Sequence, residues 1–138
     1  MNIESKLKEI EATYYWDAKA FDLQISYFGD EITLIYEDEG DKCWKATFLF
    51  CGKLEYDNDA LWPKWRDDEQ VREMIRPELG YFTQDFKIVP YADNDEFVEC
   101  RVDLSIMTMK IICRDIKIEH CDLSDFHFFW QDNNDKTQ

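Results

Sequence analysis

Between residues 113 and 127 four side chains carry the thiol and imidazole groups used in metal or nucleophile chemistry: Cys113, His120, Cys121 and His127. A tetrahedral zinc site needs deprotonated ligands that converge. The spacings that achieve this, Cys-x-x-Cys, His-x-x-x-His and His-Glu-x-x-His, are absent. Neighbouring side chains on a strand point to opposite faces, so His120 and Cys121 would diverge. A thiol beside an imidazole also suggests a nucleophile and its base, yet a reactive thiol needs electropositive surroundings and this chain is crowded with carboxylates. The residue types therefore predict buried thiols, a satisfied or exposed histidine, no metal and no catalytic cysteine. Gly-x-Ser-x-Gly, phosphate-loop and dinucleotide fingerprints are missing, and 4 glycines leave little from which to build a phosphate cradle. No cofactor is expected.

Carboxylate pairs recur at Asp30-Glu31, Glu37-Asp38-Glu39, Asp67-Asp68-Glu69 and Asp95-Glu96. Acid and base work needs environments that push two pKa values apart, whereas turns and helix starts keep carboxylates alike in water. The 12-residue calcium loop, with its central glycine and final glutamate, is absent as well. A first helical turn favours carboxylates, which gives Asp67, Asp68 and Glu69 a structural reason to be there. No catalytic residue is assigned.

The elements that would position these groups follow from periodicity. Ile3, Leu7 and Ile10 behind Asn2 predict an amphipathic helix near residues 3–13. From Ala20 the period becomes two. Phe21, Leu23, Ile25 and Tyr27 share one strand face, Gly29-Asp30 has tight-hairpin chemistry, and Ile32, Leu34 and Tyr36 answer on the second strand. After the acidic turn Glu37–Asp41, the nearly continuous apolar run 43–51 predicts a central strand covered on both faces. Leu54 and Tyr56 mark a further short strand. Asp67 with Gln70 resembles a capping box, Val71, Met74 and Ile75 share a helical face, and Pro77 would end a helix over 67–76. Strands are then predicted from Tyr81 to Pro90, over 98–106, and over 108–120. The last changes apolar phase near Arg114-Asp115, as a bulge would. The pattern is lost from Trp130 onward, and fraying is expected there.

This order predicts an α+β fold: a mainly antiparallel sheet of six to eight strands, flat or folded into a sandwich, with an N-terminal helix and one central helix. At 138 residues the chain is expected to form a single globular domain over 1–130 with a frayed tail at 131–138. Apolar residues at 45% supply a core. The five cysteines, at 43, 51, 100, 113 and 121, form an odd set read as reduced thiols. The N-terminus has no apolar leader and no stretch is long enough to span a membrane, so a cytoplasmic location is expected.

Sixteen basic residues against 31 acidic ones leave a net charge of −15. Such a field repels nucleic acid and anionic membranes, and steers a basic protein inward. Solubility or adaptation to salt would also account for it. For a docking surface, the carboxylates Glu37, Asp38, Glu39, Asp41, Asp57, Asp59, Asp67 and Asp68 are the candidate partner-binding residues, with Trp62 and Trp65 as apolar anchors.

Three stretches carry a family resemblance: Asp17-Ala18-Lys19-Ala20-Phe21 leading into Ile25–Ile32, Arg76-Pro77-Glu78-Leu79-Gly80-Tyr81-Phe82, and Asp103–Met107 before Ile111–Ile116. Over roughly 16–130 the chain resembles small acidic bacterial immunity-type proteins found beside polymorphic toxin genes. Trp16-Asp17 stands where a His-Asp pair would be expected. The resemblance implies a cytoplasmic antidote that occludes a toxin domain, often a nuclease, and it brings no catalytic residues. Two other classes stay open: a small hydrolase or transferase built on Cys113, His120 and His127, and a structural or regulatory subunit.

Overall fold

A computed structural model describes residues 1–58 and 66–137, with side chains as far as residue 133. Ile3, Leu7 and Ile10 line one face of helix α1 (Ile3–Glu11), and Asn2 caps it by accepting the Ser5 backbone N–H at 2.8 Å. Nine strands follow among the described residues: β1 (Ala18–Ser26), β2 (Glu31–Glu37), β3 (Lys42–Leu49), β4 (Lys53–Asn58), β5 (Phe82–Thr83), β6 (Asp85–Pro90), β7 (Val98–Asp103), β8 (Met107–Cys113) and β9 (Asp115–Asp122). They form two antiparallel sheets, ordered β5-β1-β2-β3-β9 and β4-β8-β7-β6.

The main core lies between the sheets. Ile32, Leu34, Tyr36, Ala46, Phe48 and Ile116 of the first meet Phe86, Ile88, Cys100, Val102, Met109 and Ile111 of the second. Helix α1 packs against β6 and β9, an edge strand of each sheet. On β7 the expected alternation holds, with Val98, Cys100 and Val102 buried and Arg101 exposed.

The two sheets exchange strands at corners. The predicted strand over 108–120 is in fact β8 and β9, which belong to different sheets and separate at Arg114. The phase change that suggested a bulge is the chain leaving one sheet for the other. The predicted strand from Tyr81 to Pro90 divides in the same way at Gln84 into β5 and β6. Between β3 and β4 the chain crosses through Phe50, Cys51 and Gly52, which is tied by Gly52 N–H to Ile112 O at 2.8 Å.

No central helix forms over 67–76. Asp67 and Asp68 have φ of 49° and 64°, outside the right-handed helical region, and Gln70 is extended. Two single 3₁₀ turns stand there instead, Val71–Glu73 and Arg76–Glu78, with Pro77 inside the second. Met74 and Leu79 from this stretch join Phe21, Ile35, Cys43, Phe128 and Trp130 in a second apolar cluster. Trp130 is buried, and its indole N–H donates to Phe21 O at 3.0 Å. The Asn133 amide donates to the carbonyls of Arg72 and Met74, so the expected fraying does not begin at Trp130.

Candidate functional site: an acidic groove with aromatic walls

The sequence Tyr14-Tyr15-Trp16 places three aromatics in the link between α1 and β1, and a short link cannot bury them all. Tyr15 takes the core position against Phe86, with centroids 4.7 Å apart, and Trp16 stacks on Tyr15 at 4.4 Å. Tyr14 is left 80% exposed and Trp16 49%. The link is pinned from behind by Thr83, whose hydroxyl donates to the carbonyls of Tyr15 and Ala18, while Asp17 N–H donates to Thr83 O at 2.8 Å. Tyr14 and Asp17 both have positive φ, 53° and 63°.

Opposite this link stands the acidic turn between β2 and β3. Together Tyr14, Trp16, Asp17, Glu37, Asp38, Glu39 and Arg76 line an open groove of about 720 Å³. Glu37 accepts from the Arg76 guanidinium at 3.0 Å. The Arg76 guanidinium lies over the rings of Phe21, at 4.7 Å, and Trp130. Its carbonyl accepts the Lys19 ammonium at 2.7 Å. Burial pushes Lys19 below the usual lysine range and Arg76 adds to that, against the pull of Glu37.

Asp38 is held from the far edge of the sheet. His120 on β9 lies with Nε2 2.7 Å from Asp38 Oδ2, and its ring stacks on Trp44, its cross-strand partner, at 4.2 Å. Burial works to raise the Asp38 carboxyl, but hydrogen bonds from Glu39 N–H and His120 outweigh it and leave the group below the ordinary aspartate range. The buried Trp44 indole N–H has no partner at hydrogen-bond distance among the described residues and adds a weaker pull on the same carboxylate.

Of the carboxylates singled out from sequence, Glu37, Asp38 and Glu39 come together here, with Asp41 exposed at the end of the same turn. Asp57 is exposed on β4 in the other sheet, opposite Thr108. Asp67 and Asp68 are exposed in a loop, and Asp59, Trp62 and Trp65 lie outside the described residues. Tyr14, Trp16, Asp17 and Arg76 were not singled out as partner contacts. The signal for the first two was present: aromatics flanking a third in a short link.

The thiol and imidazole groups do not assemble. Cys113 is in the core with its sulfur 3.7 Å from that of Cys100. His120 is engaged with Asp38, and His127 is exposed and paired with Asp132 at 2.8 Å. Burial pushes the Cys43 thiol up to about 11 and that of Cys51 to about 12, and the Cys113 sulfur together with burial drives Cys100 far upward. Such thiols stay protonated near neutrality. Among the described residues no group of three His, Cys, Asp or Glu side chains could hold a metal ion. No described helix is long and apolar enough to cross a membrane.

Fold and site together define a small two-sheet protein whose charged concavity is walled by exposed aromatics. The chain belongs to the family described as immunity protein PIM7, whose model matches residues 2–120 and so takes in both walls of the groove. Among solved structures it is similar to an uncharacterized protein from Neisseria gonorrhoeae, with 16% identity and a TM-score of 0.53 over 76% of this chain and 92% of that one. That likeness shows a shared fold. No curated protein matches the chain.

Proposed function

We propose that the chain is a cytoplasmic, non-enzymatic inhibitor that neutralises a cognate bacterial toxin by occluding it, and that the groove between residues 14–17 and 37–40 receives a basic surface of that toxin. Membership of an immunity protein family supports a toxin partner in general. The observation that carries the finer reading is the gathering of Asp17, Glu37, Asp38 and Glu39 around exposed Tyr14 and Trp16, with Arg76 the one cation lining the groove among the described residues. Carboxylates supply long-range attraction, and aromatic rings supply contact area that loses little rotamer freedom on binding. A polyanionic surface of this kind can stand where phosphates would stand in the cleft of a nuclease. The test is capture by the wild-type chain, followed by titration of the captured toxin's activity. Stoichiometric silencing of a basic toxin domain is expected, and binding that leaves its activity untouched would contradict occlusion.

A further inference from the structure

The turn between β1 and β2 carries a cost that the fold does not recover. Tyr27, Phe28 and Gly29 have φ of 53°, 59° and 93°, so three successive residues sit in the left-handed region. Asn, Asp and Gly bear that conformation with least strain, whereas bulky side chains pay for it. Buried rings would offset the cost, but Tyr27 is 73% exposed and Phe28 wholly so. The same end of the five-stranded sheet exposes Ile25 and, at the crossing from β3 to β4, Phe50. Cys51 N–H, next to Phe50, donates to Asp30 O at 2.9 Å and ties the two features together. The groove lies at the other end of β2, a seven-residue strand, and so roughly 20 Å away.

We infer that Tyr27, Phe28 and Phe50 form a second, apolar anchor for the same toxin, seated in a hydrophobic depression flanked by lysine or arginine. This rests on the toxin-binding reading given above. Strained, exposed aromatics persist where an interaction outside the free fold rewards them. Charge selects the occupant. Asp30 and Glu31 follow the turn directly in the chain, and Asp115 follows Arg114, whose guanidinium lies over Phe50 at 5.2 Å and over Phe97. Such a charge pattern fits a basic partner and opposes a second copy of a chain that carries −15.

The experiment uses the full chain and the toxin domain that the wild-type chain captures and silences. Tyr27→Asn with Phe28→Gly gives the turn residues its backbone favours. The melting temperature is expected to rise by several degrees while affinity falls at least about tenfold, mainly through faster dissociation. Phe28→Ser alone, leaving Tyr27 in place, is expected to show a smaller loss. A groove variant, Asp17→Asn with Glu39→Gln, should instead slow association. If the turn variants bind as wild type does while the groove variant is slowed, the apolar anchor is wrong and the groove reading stands. If the wild-type chain silences no toxin, both fall. Self-association of the wild type in sedimentation, abolished by Phe28→Ser, would assign these rings to a second copy and overturn the proposal.

Discussion

His120 Nε2 lies 2.7 Å from Asp38 Oδ2, joining residues 82 apart in the chain. The contact ties edge strand β9 to the turn between β2 and β3, and Trp44 on intervening β3 backs the imidazole. One wall of the groove is thereby fixed in place before any partner arrives. Preorganisation of this kind lowers the ordering cost of association.

That pair predicts a pH dependence. The Asp38 carboxyl is depressed in the fold, so its stabilising contribution is full above the unfolded value near 3.9 and is lost as pH falls through the lower folded value. Asp38→Asn should therefore be less stable than wild type at pH 7, with the difference shrinking below about pH 4. Urea unfolding of both proteins from pH 7 down to pH 3 measures it. A constant difference would remove the carboxylate from the account.

Arg76 is predicted to matter more for packing than for its ion pair. The pair with Glu37 is more than a third exposed on both sides and is worth little, whereas the guanidinium also covers the rings of Phe21 and Trp130. Arg76→Ala should cost about 1–2 kcal/mol and Glu37→Gln under about 1 kcal/mol in chemical unfolding.

Removal of the Trp130 side chain should cost about 3–5 kcal/mol, because it is buried against Phe21 and Phe128 and also donates to the Phe21 carbonyl. Denaturant titration of Trp130→Ala checks this. A loss below about 1 kcal/mol would mean that the C-terminal segment is not docked in solution.

Thiol accessibility gives a fourth prediction. With Cys43 and Cys51 pushed up to about 11 and 12 and Cys100 higher, the native chain should react slowly with a thiolate-selective reagent at pH 7.5. Cys121, half-buried and raised by burial and by Glu119, should be the first to label. Rapid labelling of Cys100 or Cys113 would reopen a thiol chemistry that the geometry closes. All five cysteines should label together in denaturant.

Where one face meets a core and the other meets water, local pattern was legible. The helix at Ile3, Leu7 and Ile10 and the alternation on β7 follow directly from side-chain period. Strand β2, in contrast, is buried on both faces, and a register shift between Ala20 and Asp22 takes Phe21 into the second cluster and leaves Ile25 and Tyr27, expected on the same face, exposed. Legibility failed where one continuous apolar run serves two sheets, because a change of phase at Arg114 looks the same for a bulge and for a strand that changes sheets. It failed again at 67–76, where apolar residues at helical spacing dock as separate 3₁₀ turns and tertiary contact with Phe21 and Phe128 outweighs propensity. Of the groove, the acidic turn was visible as composition. Its convergence with Tyr14, Trp16 and Asp17 depends on the pairing of β1 with β2 and β5, which no local window contains.

The central claim is that the acidic groove steers a basic toxin domain onto this chain. The most direct test is the association rate of the two, measured at 50 and 500 mM salt for wild type and for Asp17→Asn, Glu37→Gln, Glu39→Gln combined. An electrostatic groove predicts wild-type association that slows at least about tenfold with salt, and a variant that starts slow and responds less. Equal rates and equal salt dependence in the two proteins would contradict it.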